Sequence, residues 1–267
     1  WVGATSGLVS YEGLSFQIAK AAADSATKAI VLDMQLPGGE AVGAFECAAV
    51  VRRAAKEKPV VAVVNGMAAS AAYAIASACR SIVSIDTGIS GSIGVVMMHA
   101  DYSRAIDKAG ITPTLIHAGA HKVDGNPYQP LPAGVRSDLQ AEVDAFYEKF
   151  LETVAAGRGK RLTAKAARAT EARCLIGPDA KAAGLVDEIG TFADVISSLS
   201  PAAKGRAAAS ANSAPVPAAM ASVAKPKRID RAAVYARSAG NPGPGRPDSR
   251  SVFERLGATA VRPAPEN

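Results

Sequence analysis

The residues of this chain that could do chemistry are a serine inside a run of small apolar residues, a glycine pair, and basic side chains in loops. The serine is Ser70, within VVAVVNGMAASAAYAI from Val60 to Ile75. Val60 to Val64 reads as a buried strand, Asn65-Gly66 as a break, and the small residues that follow as the entry to a helix. Ser70 would then stand where a helix begins at the carboxyl end of a strand, beside free backbone N–H groups that stabilise negative charge. That setting suits a nucleophile; the plainer reading is a small residue at a helix packing face. Gly38-Gly39, after another apolar run, offers amides that no Cβ obstructs, and the amide of Ala71 follows the serine directly. Together they could receive an oxyanion, although a glycine pair after a strand also serves an ordinary tight turn.

A serine nucleophile needs a base. The histidines are His99, His117 and His121, and His99 closes an apolar strand, as suited to a packed core position as to a base. A lysine serves when burial lowers its pKa and leaves the amine free to accept a proton. Lys122 lies in the Gly/Pro-rich loop AGAHKVDGNPYQPLP, whereas Lys149 and Lys160 ride solvent-facing or basic segments. Position alone makes Lys122 a solvated loop lysine.

The elements that must position these groups alternate. A helix over Leu14 to Ala26 precedes a strand over Ala29 to Met34, which ends at Gln35-Leu36-Pro37-Gly38-Gly39. A helix from Ala41 to Lys56 leads to the strand at Val60. Two strand-turn-helix units in succession indicate a parallel sheet, whose ligand chemistry gathers at the carboxyl ends of its strands, where both the glycine pair and Ser70 fall. Further on come a strand over Ser81 to Ile85, the segment GSIGVVMMH, a helix over Tyr102 to Ala109 and a strand over Thr112 to His117. Val135, Leu139, Val143, Phe146, Phe150 and Val154 then mark a long amphipathic helix whose stripe must pack on the body or on a neighbouring subunit. Short helices over Thr163 to Thr170 and Pro178 to Ala183, a strand over Leu185 to Ile189 and a helix ending near Leu199 complete the pattern.

Composition sets the remaining bounds. Of 267 residues 49% are apolar, ample for a core, and the net charge is +6. Eleven Lys/Arg against four Asp/Glu lie from Ser200 onward, with nine of the sixteen prolines, so the basic character belongs to a tail. Such composition cannot offset the entropy of ordering and predicts a mostly disordered extension with a short helix near Ser251 to Leu256. Cys47, Cys79 and Cys174 form no CxxC pair and have no histidine neighbours, which excludes a zinc site of that spacing and fits buried thiols in a reducing compartment. Val60 to Cys79 carries no charge, but Asn65, Gly66, Ser70, Ser77 and its many alanines argue against a membrane span. No signal peptide opens the sequence, which starts at Trp1.

The order PGGE, NGMAASAAY, GSIGVV and GAHKVDGNPY resembles the signal peptide peptidase A superfamily of Ser/Lys serine proteases, most closely its phage prohead, or minor capsid, protease branch. The likeness runs from Gly3 to Leu199. It implies an α/β fold of the ClpP/crotonase type, with repeated ββα units on a parallel sheet, assembled into homo-oligomers. A protease domain over residues 1–199 would lack the family's opening strand, and residues 200–267 would form the disordered Ala/Pro-rich basic tail. On this resemblance Ser70 is the nucleophile, Lys122 the general base and Ser92 its hydrogen-bonding partner. Gly39 and Ala71 supply the oxyanion amides, with Gly38 supporting the turn. Gln35-Leu36 and Ala71-Ala72 differ from residues frequent in cellular relatives.

The resemblance implies a serine endopeptidase without cofactor or metal. It would cleave phage scaffold, portal or coat segments, and itself, within the procapsid in the host cytoplasm. A basic tail could tether it to an acidic scaffold or coat surface; with no aromatic interleaving, specific nucleic-acid binding is not expected, nor is a membrane partner. Two other readings stay open: a ClpP-like Ser-His-Asp peptidase using Ser70 and His99, and a catalytically inert, truncated assembly or scaffold protein. A crotonase-type acyl-CoA enzyme would share the glycine turn, but no basic or nucleotide-binding motif near it supports coenzyme A.

Overall fold

The computed structural model describes residues 10–200. Its architecture is mixed α/β around a six-stranded sheet. In chain order the elements are α1 (Tyr11–Ala23), β1 (Ile30–Leu36), α2 (Ala44–Glu57), β2 (Val60–Ala69), α3 (Ala71–Ser77), β3 (Ser81–Ser84), β4 (Ile89–Gly91) and α4 (Ser103–Lys108). They continue with α5 (Ala133–Arg158), a 3-10 turn, α6 (Ala164–Arg168), β5 (Cys174–Ile176), α7 (Gly177–Ala182), β6 (Glu188–Ile189) and α8 (Phe192–Leu199). The basic tail and its short helix lie outside the described residues.

The centre of the sheet is β2. It pairs in parallel with β1, with β3 through Val61 to Val64, and with β4 through Met67 to Ala69. The expected break at Asn65-Gly66 is therefore not a strand end. The strand changes partner there, β1 shifts register between Met34 and Leu36 to follow it, and regular pairing resumes. β6 extends the sheet beside β3, and β5 lies antiparallel to β4, so the sheet is not purely parallel.

The period-two geometry of a strand explains why β2 reads as a continuous apolar run. Val60, Ala62 and Val64 enter the main core, shared with Ile18, Phe45, Val51 and Phe150. Val61 and Val63 point to the opposite face and pack with Val83 of β3 and Val195 of α8. Both faces are covered, so both alternate sets are apolar.

The long helix α5 meets the core through its C-terminal part, where Phe150, Leu151 and Val154 are buried. It crosses α3 closely: a Cβ on Gly157 would lie 2.1 Å from the Ser77 carbonyl oxygen. The end of α5 is pinned by Arg158, whose guanidinium is fully buried and pairs with Asp187 at 2.8 Å, while Ile82 N–H donates to the same carboxylate at 2.7 Å. Burial works against the ionised Asp187, but the hydrogen bonds from Arg158 and Ile82 outweigh it and hold the carboxyl below the usual aspartate range.

The segment expected as a strand over Thr112 to His117 is a correction. It pairs with no strand among the described residues, and Ile111 and Ile116 are 58% and 95% exposed. Its β-branched residues Thr112, Thr114 and Ile116 have no ladder to join. Likewise GSIGVVMMH contributes only its first glycine to β4, and Val96 and Met98 beyond it are 90% and 87% exposed. Among the described residues no helix is long and apolar enough to cross a membrane.

Candidate active site

Ser70 occupies the joint between β2 and α3 with φ 52° and ψ −129°. An L-residue rarely takes positive φ, and such strain survives only where the surroundings enforce it. Here the enforcement is visible on both sides of the joint. Ser70 N–H donates to the Gly91 carbonyl at 3.0 Å, and the Ser70 carbonyl accepts from Tyr73 and Ala74 at 2.8 and 3.1 Å. Tyr73 is fully buried and its hydroxyl donates to the Leu185 carbonyl at 2.8 Å, next to the Arg158–Asp187 pair. The helix behind the serine is thus tied to the deepest part of the core.

The glycine turn after β1 reaches the same place. Gly38 has φ 133°, and a Cβ there would stand 2.7 Å from Ser70 Cβ and 3.2 Å from its Oγ. Only a glycine permits this approach. Gly39, Ser70, Ala71 and Ser92 line one cleft of about 330 Å³. The amide of Ala71, first in α3, has no intrahelical acceptor and remains available. Ser92 also has positive φ, 53°, and its N–H donates to the Arg173 carbonyl at 3.1 Å.

Apolar side chains form the rest of the cleft. Phe45 and Phe150 meet in its wall with ring centroids 5.8 Å apart, and Val95 and Ala172 face them. Ala172 stands at φ 54° in a turn with Glu171 at φ 49°, and a Cβ on Gly94 would come within 2.7 Å of the Ala172 Cβ. A small apolar side chain bound beside Ser70 would fit this wall, and Glu40 also lines the cleft.

The basic candidates stand elsewhere. Lys122 is exposed in the turns of residues 119–125 and does not line the cleft. Its neighbour His121 pairs with Asp124 at 2.8 Å, and that hydrogen bond raises the imidazole pKa. His99 does not line the cleft either; its Nε2 lies 3.2 Å from the Asn126 carbonyl. The structure therefore brings together Gly38, Gly39, Ser70, Ala71 and Ser92 and leaves Lys122 apart from them. Among the described residues no cluster of three His, Cys, Asp or Glu side chains could hold a metal ion.

Sequence reasoning missed Phe45, Phe150 and Ala172 as cleft residues. The two phenylalanines were legible as core residues, but their convergence from α2 and α5 is a tertiary fact. Ala172 carries no chemical signal at all.

A model of peptidase family S49 matches residues 52–206. The chain is 43% identical over 192 residues to the head-tail preconnector protein GP5 of Enterobacteria phage P21, an overlap of 72% of this chain and 38% of that one. It is 42% identical over 191 residues to the capsid assembly protease C of Escherichia phage lambda, covering 72% of this chain and 43% of that protein. It thus spans about two fifths of the length of these two relatives. Among solved structures, the 1510-N membrane-bound stomatin-specific protease superposes at a TM-score of 0.44 and 17% identity, over 71% of this chain and 73% of its own.

Proposed function

Because this chain belongs to peptidase family S49, we propose that it is a serine endopeptidase of phage head maturation, acting through a Ser70–Lys122 dyad. The observation that carries the proposal is that two strained positions, Ser70 and Ser92, line one cleft with Gly39, while Gly38 approaches Ser70 as only a glycine can. Ser70 Oγ attacks the peptide carbonyl carbon and its proton passes to the amine of Lys122. The Gly39 and Ala71 N–H groups receive the oxyanion. Collapse of the tetrahedral species transfers the proton to the leaving amine and leaves an acyl-enzyme. Lys122 then deprotonates the water that releases the acid. Ser92 orients the lysine amine.

Lys122 joins the cleft through assembly in this reading. Residues 96–117 present Val96, Met98 and Ile116 almost bare and Ile111 more than half exposed, a surface that a second copy of the chain would cover. Gly125 lies near Leu139 of α5, a Cβ on it coming within 3.8 Å of Leu139 Cδ1, so the lysine-bearing turns rest on a helix rather than on the sheet. The fold belongs, on this proposal, to the ClpP and crotonase class, its β1–α2 and β2–α3 units being the repeated element. Residues 1–199 constitute the protease domain. The basic stretch from residue 200 onward tethers it to scaffold or coat within the procapsid, in the cytoplasm of the host. The names of the phage P21 and lambda relatives support head proteins as substrates.

The test is intact-mass analysis of the protein co-expressed with head proteins, beside Ser70→Ala and Lys122→Ala forms. Cleavage in the parent and none in either variant is expected; unchanged cleavage in both overturns the proposal. The exposed position of Lys122 favours one competing reading, an inert assembly protein. That reading expects no labelling of Ser70 by a fluorophosphonate in assembled protein.

A further inference from the structure

The turn that carries Gly39 is held by a residue that neither composition nor spacing singles out. Tyr11 begins α1, where Ser10 caps the helix by accepting from Gly13 N–H at 3.0 Å. The Tyr11 hydroxyl donates to the Glu40 carbonyl at 2.8 Å. Among the described residues this is the only side-chain hydrogen bond that residues 37–42 receive. The stretch contains Gly38 and Gly39 and runs on to Gly43, so its free backbone has much conformational entropy to lose.

The tyrosine also packs against two of those glycines, Gly39 and Gly43, the second of which already needs glycine for its φ of 86°. A Cβ on Gly39 would lie 2.7 Å from the Tyr11 hydroxyl oxygen, and one on Gly43 would lie 3.1 Å from ring atom Cδ2. Gly39 does not have positive φ, so a side chain there would displace the Tyr11 hydroxyl rather than strain its own backbone. Burial first, then the nearby Cys47 and Glu40, push the phenol pKa above its ordinary value, so at neutral pH the hydroxyl keeps its proton and remains a donor.

We propose that Tyr11 is a positioning residue for the oxyanion turn: its ring and hydroxyl fix the Gly38–Gly39–Glu40 backbone so that the Gly39 N–H faces the carbonyl attacked by Ser70. This rests on the serine-peptidase reading above. Tyr11 touches neither substrate nor nucleophile and acts through the orientation of one amide. Preorganised donors stabilise a transition state because they need no rearrangement when charge develops, and a loosened turn loses that advantage without losing the binding cleft.

The experiment uses Tyr11→Phe, which keeps the ring on Gly39 and Gly43 and removes only the hydroxyl. Two measurements are made on the whole chain. Phosphonylation of Ser70 by a fluorophosphonate, in which the serine oxygen bonds phosphorus and fluoride departs, gives a maximal rate and a half-saturating concentration. The maximal rate is expected to fall about tenfold with half-saturation changed less than about twofold, since an oxyanion donor is displaced rather than deleted. Hydrogen exchange of the peptide spanning residues 36–44 is measured in a Ser70→Ala background, where no turnover is needed, and should quicken several-fold with an unchanged melting temperature. An unchanged maximal rate, a loss confined to half-saturation, or unchanged exchange overturns the role of Tyr11. If the parent protein is not labelled at all, the peptidase reading fails, and the exchange measurement still decides the clamp by itself.

Discussion

The two ends of the proposed dyad sit in opposite surroundings. Ser70 stands on the best-packed part of the molecule, between a strand whose first five residues are buried and a helix with no exposed residue. Lys122 stands in turns whose preceding segment leaves Ile111 and Ile116 open to solvent. A strained backbone position persists where its surroundings over-determine it, and at Ser70 the buried residues of β2 and α3 do so. A base need not be held by its own fold if another surface completes its position. The serine end is therefore set by folding, and the lysine end, on the present proposal, by association.

Four changes break or sharpen that contrast. Ser70→Ala should abolish phosphonate labelling, a loss beyond about a thousandfold, with the melting temperature unmoved, because the packing around the joint is backbone and alanine. Gly38→Ala forces an L-residue to positive φ and drives a Cβ against Ser70, so labelling should fall on the order of a hundredfold in protein that still melts cooperatively. Arg158→Met removes the buried partner of the half-buried Asp187, which keeps Arg161 at 3.2 Å and the Ile82 N–H, and should cost about 1.5–3 kcal/mol in urea unfolding at neutral pH. The sign with pH follows from the depressed carboxyl. The pair's contribution is complete above the unfolded aspartate pKa of about 3.9 and is lost as pH falls through the lower folded value. The gap between parent and variant should accordingly close in acid, and a gap that widens there would contradict the assignment. Smallest for stability is Ile116→Ser on the exposed arm, expected within about 0.5 kcal/mol of the parent. Light scattering should nevertheless show a smaller assembly, and labelling should fall with it. Mixing Ser70→Ala with Lys122→Ala protein sharpens the point further: restored labelling places the lysine on a different copy from the serine it serves.

Much of the serine end could be read from sequence because its logic is local. A continuous apolar strand, a glycine pair and a lone hydroxyl among alanines each imply their own geometry, and all fall at one sheet edge. What could not be read depends on partners distant in the chain. Asn65-Gly66 looks like a terminator, yet β2 passes through it because β4 takes over from β3 as partner. β5 has only three residues, too few for a period, and exists because β4 needs an antiparallel neighbour. Thr112 to His117 shows the opposite failure: a convincing strand pattern without a ladder to join. Tyr11 contributes through one hydroxyl to a carbonyl 29 positions away, a relation no periodicity encodes.

The exchange of partners along β2 also orders events during synthesis. Ser70 N–H is held by Gly91, and Gly91 is itself paired with Cys174, so three remote stretches must meet before the joint is fixed. Contacts of that sequence separation form late, after local helices and the first strand pairs. A ribosome-bound chain that has not yet released residue 174 thus lacks the last of the strand pairings that fix the backbone joint at Ser70.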